Sequence, residues 1–189
     1  MNQKSIHHSR ILALSGSLRK ASYNTALIES LILLAPKQIE IIYRAGLIEL
    51  PLFNPDMENP EPSTVTELRN ELGQADGLII ASPEYAHGIS GVLKNALDWL
   101  VNGEEFVYMP VLLFNTSPRA IHAQAALREV VKTMSGIVDD KASISVPLLG
   151  SNLDKSGIIQ HKEISAALKT SLNSFHQTIR DTKLNTSYD

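Results

Sequence analysis

The chain has 189 residues, a net charge of −3, 43% hydrophobic and 20% charged residues, and no cysteine. That length and balance fit one globular domain with a real core, and the acidic net charge argues against nucleic acid, whose binders show a basic face. Without thiols, disulfides, thiolate metal sites, cysteine-ligated clusters and cysteine nucleophiles are excluded, so any redox chemistry must come from a bound cofactor.

Residues 1–9 read as a loose arm, with His7-His8 as solvated tail. The arm has no signal-type apolar core, and no apolar run reaches membrane-spanning length. The expectation is a cytoplasmic protein that meets neither membrane nor nucleic acid. Ile11 to Leu14 is a continuous apolar strand, suited to a sheet buried on both faces. It breaks at Ser15-Gly16-Ser17. A helix follows from about Tyr23, capped by Ser22, with Leu27, Ile28, Leu31 and Leu34 on one face, and Pro36 ends it.

Ile39 to Tyr43 reads as a second strand. A long connection covers residues 44–62, and connections of that length in a compact domain are often functional. Thr64-x-x-Glu67 has the form of a capping box opening a helix with Val65, Leu68 and Leu72 inward. Gly77 to Ser82 is a third strand, followed by the loop Pro83-Glu84-Tyr85-Ala86-His87-Gly88. Gly91 to Val101 reads as a helix with Leu93, Leu97 and Leu100 inward.

Val111 to Asn115 is a fourth strand, ending in Thr116-Ser117-Pro118-Arg119. Residues 122–134 are helical, Asp139-Asp140 is a solvated turn, and Ile144 to Val146 is a short fifth strand. Residues 148–159 read as a loop. A last helix runs from about Gln160 to Arg180 on the stripe Ile164, Leu168, Leu172, Phe175 and Ile179.

Strands alternating with helices predict an α/β, flavodoxin-like three-layer sandwich: a five-stranded parallel sheet in the order 2-1-3-4-5. A single domain would span residues 10–182, with residues 183–189 as a tail. Ligands of such sheets sit at the carboxyl ends of the strands, near the switch point between strands 1 and 3. The loops after strands 1, 3 and 4 converge there.

The first of these loops is rich in hydroxyls and carries two cations. Ser17, Ser22, Asn24 and Thr25 supply short donors, and Arg19 supplies charge. A turn feeding a helix N-terminus is a ready anion site, so a phosphate suits it. A plain polar turn capped by Ser22 suits it too, and the residues alone leave both open. Neither G-x-G-x-x-G nor G-x-x-x-x-G-K-[ST] is present. The Pro83 loop could offer backbone donors and an apolar platform to a flat ring. Singly, Glu84 reads as a capping or solvated carboxylate, Tyr85 as a surface aromatic and His87 as a loop hydrogen-bonder. Gly88-Ile89-Ser90-Gly91 does not complete a nucleophile elbow, and the six histidines lack metal-ligand spacing.

Two segments together carry a family resemblance. Gly16-Ser-Leu-Arg-Lys-Ala-Ser22-Tyr-Asn24 and Pro83-Glu-Tyr-Ala-His-Gly-Ile-Ser-Gly-Val-Leu-Lys94-Asn95-Ala-Leu-Asp98-Trp99 resemble the NADPH-dependent FMN reductases, a flavodoxin-like group with quinone, chromate and azo-compound reductases. The similarity runs over roughly residues 10–180.

It implies that Gly16, Ser17, Leu18, Arg19, Ser22, Asn24 and Thr25 hold the phosphate of FMN. It implies that Pro83, Glu84, Tyr85, Ala86, His87 and Gly88 line the isoalloxazine, mostly through backbone groups, and that Ser117 closes the pyrimidine side. No catalytic side chain and no metal is implied, because the chemistry is the cofactor's. NADPH or NADH would be the co-substrate in ping-pong kinetics, with a small-molecule electron acceptor such as a quinone. Lys94, Asn95, Asp98 and Trp99 read as structural.

The family is generally dimeric or tetrameric, which implies a homodimer or homotetramer, with the long loop after strand 2 and the Trp99 region as candidate contacts. Three departures stand out: Ala86 where the family has Asn, Ser90 where Pro is common before Gly91, and no glycine pair after Ser117. Arg119 and His122 could instead meet a nucleotide phosphate or a partner, or be solvated. The rival readings are a non-enzymatic flavodoxin-like electron carrier and a flavin-free binding module.

Overall fold

The computed structural model describes residues 8–186. Among the described residues, eight strands form in chain order: β1 (Ser9–Ser15), β2 (Ile39–Arg44), β3 (Gly77–Ala81), β4 (Glu84–Tyr85), β5 (Gly88–Ile89), β6 (Pro110–Asn115), β7 (Ile137–Val138) and β8 (Ile144–Ser145). Six α-helices accompany them: α1 (Tyr23–Leu34), α2 (Ser63–Gly73), α3 (Gly91–Trp99), α4 (Ile121–Thr133), α5 (Lys155–Gln160) and α6 (Lys162–Thr186).

Apolar alternation in the central strands explains the layers. Leu12 and Leu14 of β1, Leu78 and Ile80 of β3, and Val111 and Leu113 of β6 face one core, shared with α2, α3 and α4. Their neighbours Ile11, Ala13, Ile79, Ala81, Leu112 and Phe114 face the other, shared with α1, α5 and α6. Period two in a strand sends successive side chains to opposite faces, so one continuous apolar run feeds both cores. Each fully buried Leu, Ile or Phe contributes about 1.5–3 kcal/mol. Leu168, Leu172, Phe175 and Ile179 of α6 are all at 0% exposure and supply much of the second core.

All pairings in the main sheet are parallel, in the order β2-β1-β3-β6, with β7 and β8 both beside β6. This is the flavodoxin-like order, with the fifth position shared by two short strands. Only Ile144 to Val146 was expected there. Between the two pieces, the Ser143 hydroxyl takes over the strand's role and accepts from the Leu113 N–H at 3.1 Å.

Asp139, expected in a solvated turn, is buried instead. Its carboxylate accepts from the Lys141 and Ala142 amides and from the Thr178 hydroxyl at 2.6 Å, which ties the interrupted edge to α6.

Other boundaries differ for local reasons. Ser9, placed in the arm, begins β1 by donating its N–H to Gln38 O; residues 1–7 and 187–189 lie outside the described residues. The capping box at Thr64 does not form: α2 starts at Ser63 after Pro62, and the side-chain bond at its start runs from the Thr66 hydroxyl to Glu61. The stretch 148–159 is not all loop, because Asp154 caps α5 by accepting from Gly157 N–H at 2.8 Å.

The long β2–α2 connection is fastened by α3. The Asn95 amide accepts from Phe53 N–H and donates to Pro51 O, and the Trp99 indole donates to the same carbonyl at 2.8 Å. Phe53 meets Trp99 edge-on at 5.1 Å. Lys94 pairs with Asp98 along the helix. Trp99 is 1% exposed, so its side chain offers nothing to a second copy.

Candidate functional site

The carboxyl ends of β1, β3 and β6 meet at one edge of the sheet. Gly16 donates its N–H to Ala81 O at 2.9 Å, joining the first two loops at their roots. A Cβ on Gly16 would stand 2.4 Å from Ser82 Oγ and 2.8 Å from Ser90 Oγ, so only glycine fits. Ser22 accepts from Thr25 N–H at 3.2 Å and caps α1 as expected. Amides in a helix's first turn have no partner within the helix, so those of Tyr23 and Asn24 are free to meet a ligand.

The Ser15 and Thr25 hydroxyls share a bond of 2.9 Å, and Ser17 accepts from Arg19 N–H at 3.4 Å. Asn24 is buried and accepts from the Thr116 hydroxyl at 3.0 Å, linking α1 to the end of β6. Ser117 donates its N–H to the Asn115 side chain at 2.9 Å, which shapes the third loop.

The Pro83 loop forms a hairpin. Glu84 and Tyr85 in β4 pair antiparallel with Ile89 and Gly88 in β5, leaving Ala86 and His87 as a two-residue turn. Both have positive φ, 48° and 60°. That pattern matches the twist of a hairpin but costs a side-chain-bearing residue some strain. Glu84 anchors the hairpin to α4. One carboxylate oxygen accepts from Ala123 N–H at 2.8 Å, and the other lies 3.2 Å from His87 Nδ1.

α4 has no side-chain cap of its own at Ala120, so Glu84 serves as its acidic cap from across the site. The Ala123 amide lowers the Glu84 pKa from its ordinary 4.5; desolvation opposes this, and the His87 bond and the charges of His122 and His87 reinforce it. The His87 and His122 rings meet edge-on at 4.4 Å.

These loops enclose a cavity of about 270 Å³. Of the residues singled out in the sequence, Ser17, Arg19, Ser22, Asn24, Pro83, Glu84, Tyr85 and Ser117 line it together. Gly16 and Leu18 border a neighbouring cleft on the other side of Tyr85. Thr25 faces a second cavity beyond α1. Ala86, His87 and Gly88 form the turn and its exit outside the cavity wall, with His87 76% exposed.

The wall also contains residues that sequence patterns passed over: Tyr23, Ser82, Asn115, Thr116, Ala120 and Leu149, besides Arg119. Ser82 and Asn115 are strand-end residues and were legible as such. Leu149 arrives from a loop far along the chain, with no local signal.

The donor set is graded. Hydroxyls, first-turn amides and a guanidinium gather at the α1 end, with no carboxylate among them. Proline, tyrosine and backbone lie at the hairpin end, and the one acid there, Glu84, faces an amide. A phosphate at one end and a flat ring at the other fit these residues.

The family model for NADPH-dependent FMN reductase matches residues 9–147. The chain belongs to the NADPH-dependent FMN reductase family. It is 29% identical over 183 residues to a quinone reductase of Escherichia coli (strain K12), covering 93% of this chain and 97% of that one. It is 29% identical over 181 residues to a 2-hydroxy-1,4-benzoquinone reductase of a Burkholderia species, covering 93% and 98%.

Among solved structures, the flavoenzyme NAD(P)H:(acceptor) oxidoreductase FerB of Paracoccus denitrificans superposes with a TM-score of 0.80 at 22% identity, covering 92% of this chain and 98% of that one. As a member of the FMN reductase family, the chain is an FMN-dependent NAD(P)H oxidoreductase. No described helix is long and apolar enough to cross a membrane.

Proposed function

We propose that FMN occupies the 270 Å³ cavity with its phosphate at the α1 end, and that the acceptor is of the quinone class. One observation carries this reading: Ser17, Arg19, Ser22 and Asn24 share a single cavity wall with Pro83, Glu84, Tyr85 and Ser117. FMN, when bound, supplies the capacity to take a hydride from a reduced nicotinamide and pass it to a second substrate.

The chain's own residues do the rest. The Ser17 and Ser22 hydroxyls, the first-turn amides of α1 and the Arg19 guanidinium hold the phosphate. The hairpin presents backbone groups and the Tyr85 ring to the flat end, and Glu84 fixes the hairpin's position by gripping Ala123. Ser117 closes the third side. No side chain need act as acid or base, since a proton can come from solvent at this open site. The quinone class is supported by the names of the two relatives aligned over nearly the whole chain.

Purified protein should show flavin absorption bands, and NADPH with menadione should be consumed in steady state without any added reductase. A protein with bands but no turnover would be an electron carrier. A colourless protein that ignores added FMN would be a flavin-free module.

A further inference from the structure

The cleft on the other side of Tyr85 from the first cavity has a volume of about 370 Å³ and reaches from Leu18 to the start of α3. Leu18 and Tyr85 are its jaws, each 52% exposed, and Val92 adds apolar surface. Gly91 leaves its floor open, since a Cβ there would meet nothing within 4 Å. Tyr85 and Arg19 border the first cavity as well, so the two spaces are neighbours. The Arg19 charge is committed to the phosphate, so the cleft's own donors come from Ser90 and α3.

Ser90 lines the cleft, is 2% exposed and stands just before α3, yet its hydroxyl does not cap that helix. Two serines flank Gly16. The Ser82 hydroxyl donates to Pro83 O at 3.2 Å, whereas the Ser90 hydroxyl has no hydrogen-bond partner. Among the described residues, the other buried side-chain atoms in that condition are Arg44 Nε and Glu71 Oε2, and both belong to one ion pair.

A buried hydroxyl without a partner carries a desolvation cost that a ligand removes. Beside it, the first-turn amides of Gly91 and Val92 have no acceptor within α3, whose first intrahelical bond runs from Lys94 N–H to Ser90 O. No carboxylate lines the cleft. Donors at the positive end of a helix, flanked by an aromatic ring and aliphatic surface, match an oxyanion carried on a flat apolar body. Ser90 replaces the proline common in the family, and proline has no side-chain donor to offer.

We propose that this cleft binds a flat aromatic carboxylate, with Ser90 as the residue that selects acceptors bearing an ionised oxygen substituent. The Ser90 hydroxyl and the α3 amides donate to the carboxylate, and Leu18 and Tyr85 hold the ring. The proposal rests on the flavin reading of the first cavity, because Tyr85 sets the cleft against that cavity's ring end.

The probes are naphthalene-2-carboxylate and naphthalene-2-carboxamide, which share a shape, differ in charge and are redox-inert. FMN-loaded protein is titrated with each by calorimetry. The carboxylate should bind more tightly than the carboxamide. Ser90→Ala should weaken the carboxylate at least about tenfold, as expected for a hydrogen bond to a charged group, and the carboxamide less. Its Tm should stay equal or rise, since an unpaired buried hydroxyl is removed. Gly91→Leu, entering open space, should weaken both probes by filling the cleft. FMN affinity should be unchanged in both variants, which shows that they fold. In steady state the carboxylate should compete with menadione.

Equal affinity for the two probes in the parent, or no loss in Ser90→Ala, overturns the subsite. A lowered Tm in Ser90→Ala would make the hydroxyl a structural partner and overturn it too, as would a loss of FMN affinity in either variant. Inhibition that is not competitive with menadione overturns the selection of acceptors. A parent that binds no FMN removes the flavin reading itself, whereas a parent that binds FMN and fails with the probes removes this subsite alone.

Discussion

Gly16 shows how little freedom the site leaves to single residues. Its missing side chain makes room for two hydroxyls, Ser82 Oγ and Ser90 Oγ, where the β1 and β3 loops meet. Gly16→Ala should therefore reduce both stability and FMN binding, and the double variant with Ser82→Gly should recover part of each, since it removes the nearest clash. Thermal melts and flavin titration would show this; no recovery would place the constraint elsewhere.

Arg19→Ala removes a charge-assisted contact, worth about 1.5–3 kcal/mol in FMN affinity. A fluorescence titration giving unchanged affinity would take Arg19 out of the phosphate grip. Glu84 carries a pH signature. Its folded pKa lies below the ordinary 4.5, so its tie to Ala123 is complete above that value and is lost as pH falls through the lowered one. The stability difference between the parent and Glu84→Gln, measured by urea denaturation, should stay constant above about pH 5 and close in more acidic solution. A gap that widened on acidification would contradict the assignment.

Among the elements, the hairpin was the least legible. The favoured two-residue turns contain Asn or Gly, and Ala86-His87 contains neither. The turn forms because Glu84 holds one strand of the hairpin to α4 and the chain must return to start α3. Ala86 at φ 48° is the strained position. Ala86→Asn should relieve on the order of 1 kcal/mol, since asparagine tolerates the left-handed region, and raise Tm by about 2–4 °C. A lowered Tm would show that the alanine methyl is packed rather than strained.

α5 was hidden for another reason. Six residues are too few to show a helical period, and only the Asp154-x-x-Gly157 cap betrays it. The split edge was hidden because Ser143 replaces a strand amide's partner with a side chain, which no hydrophobic pattern records. The strands β1, β3 and β6 were plain, because a run buried on both faces is apolar throughout.

At the scale of the whole molecule, the alternation of strands and helices was enough to place three loops at one edge of the sheet, and with them most of one wall of the cavity. What alternation could not supply was the far wall at Leu149, or the cap that Glu84 provides across the site. Those depend on how distant segments pack.

FMN occupancy of this one cavity is open to a direct test. The direct measurement is a fluorescence titration of flavin-free protein with FMN, run beside Ser117→Trp, whose indole would fill the cavity from its third side. The expected result is saturation at one FMN per chain for the parent and loss of binding in the variant. FMN bound equally by both would contradict it.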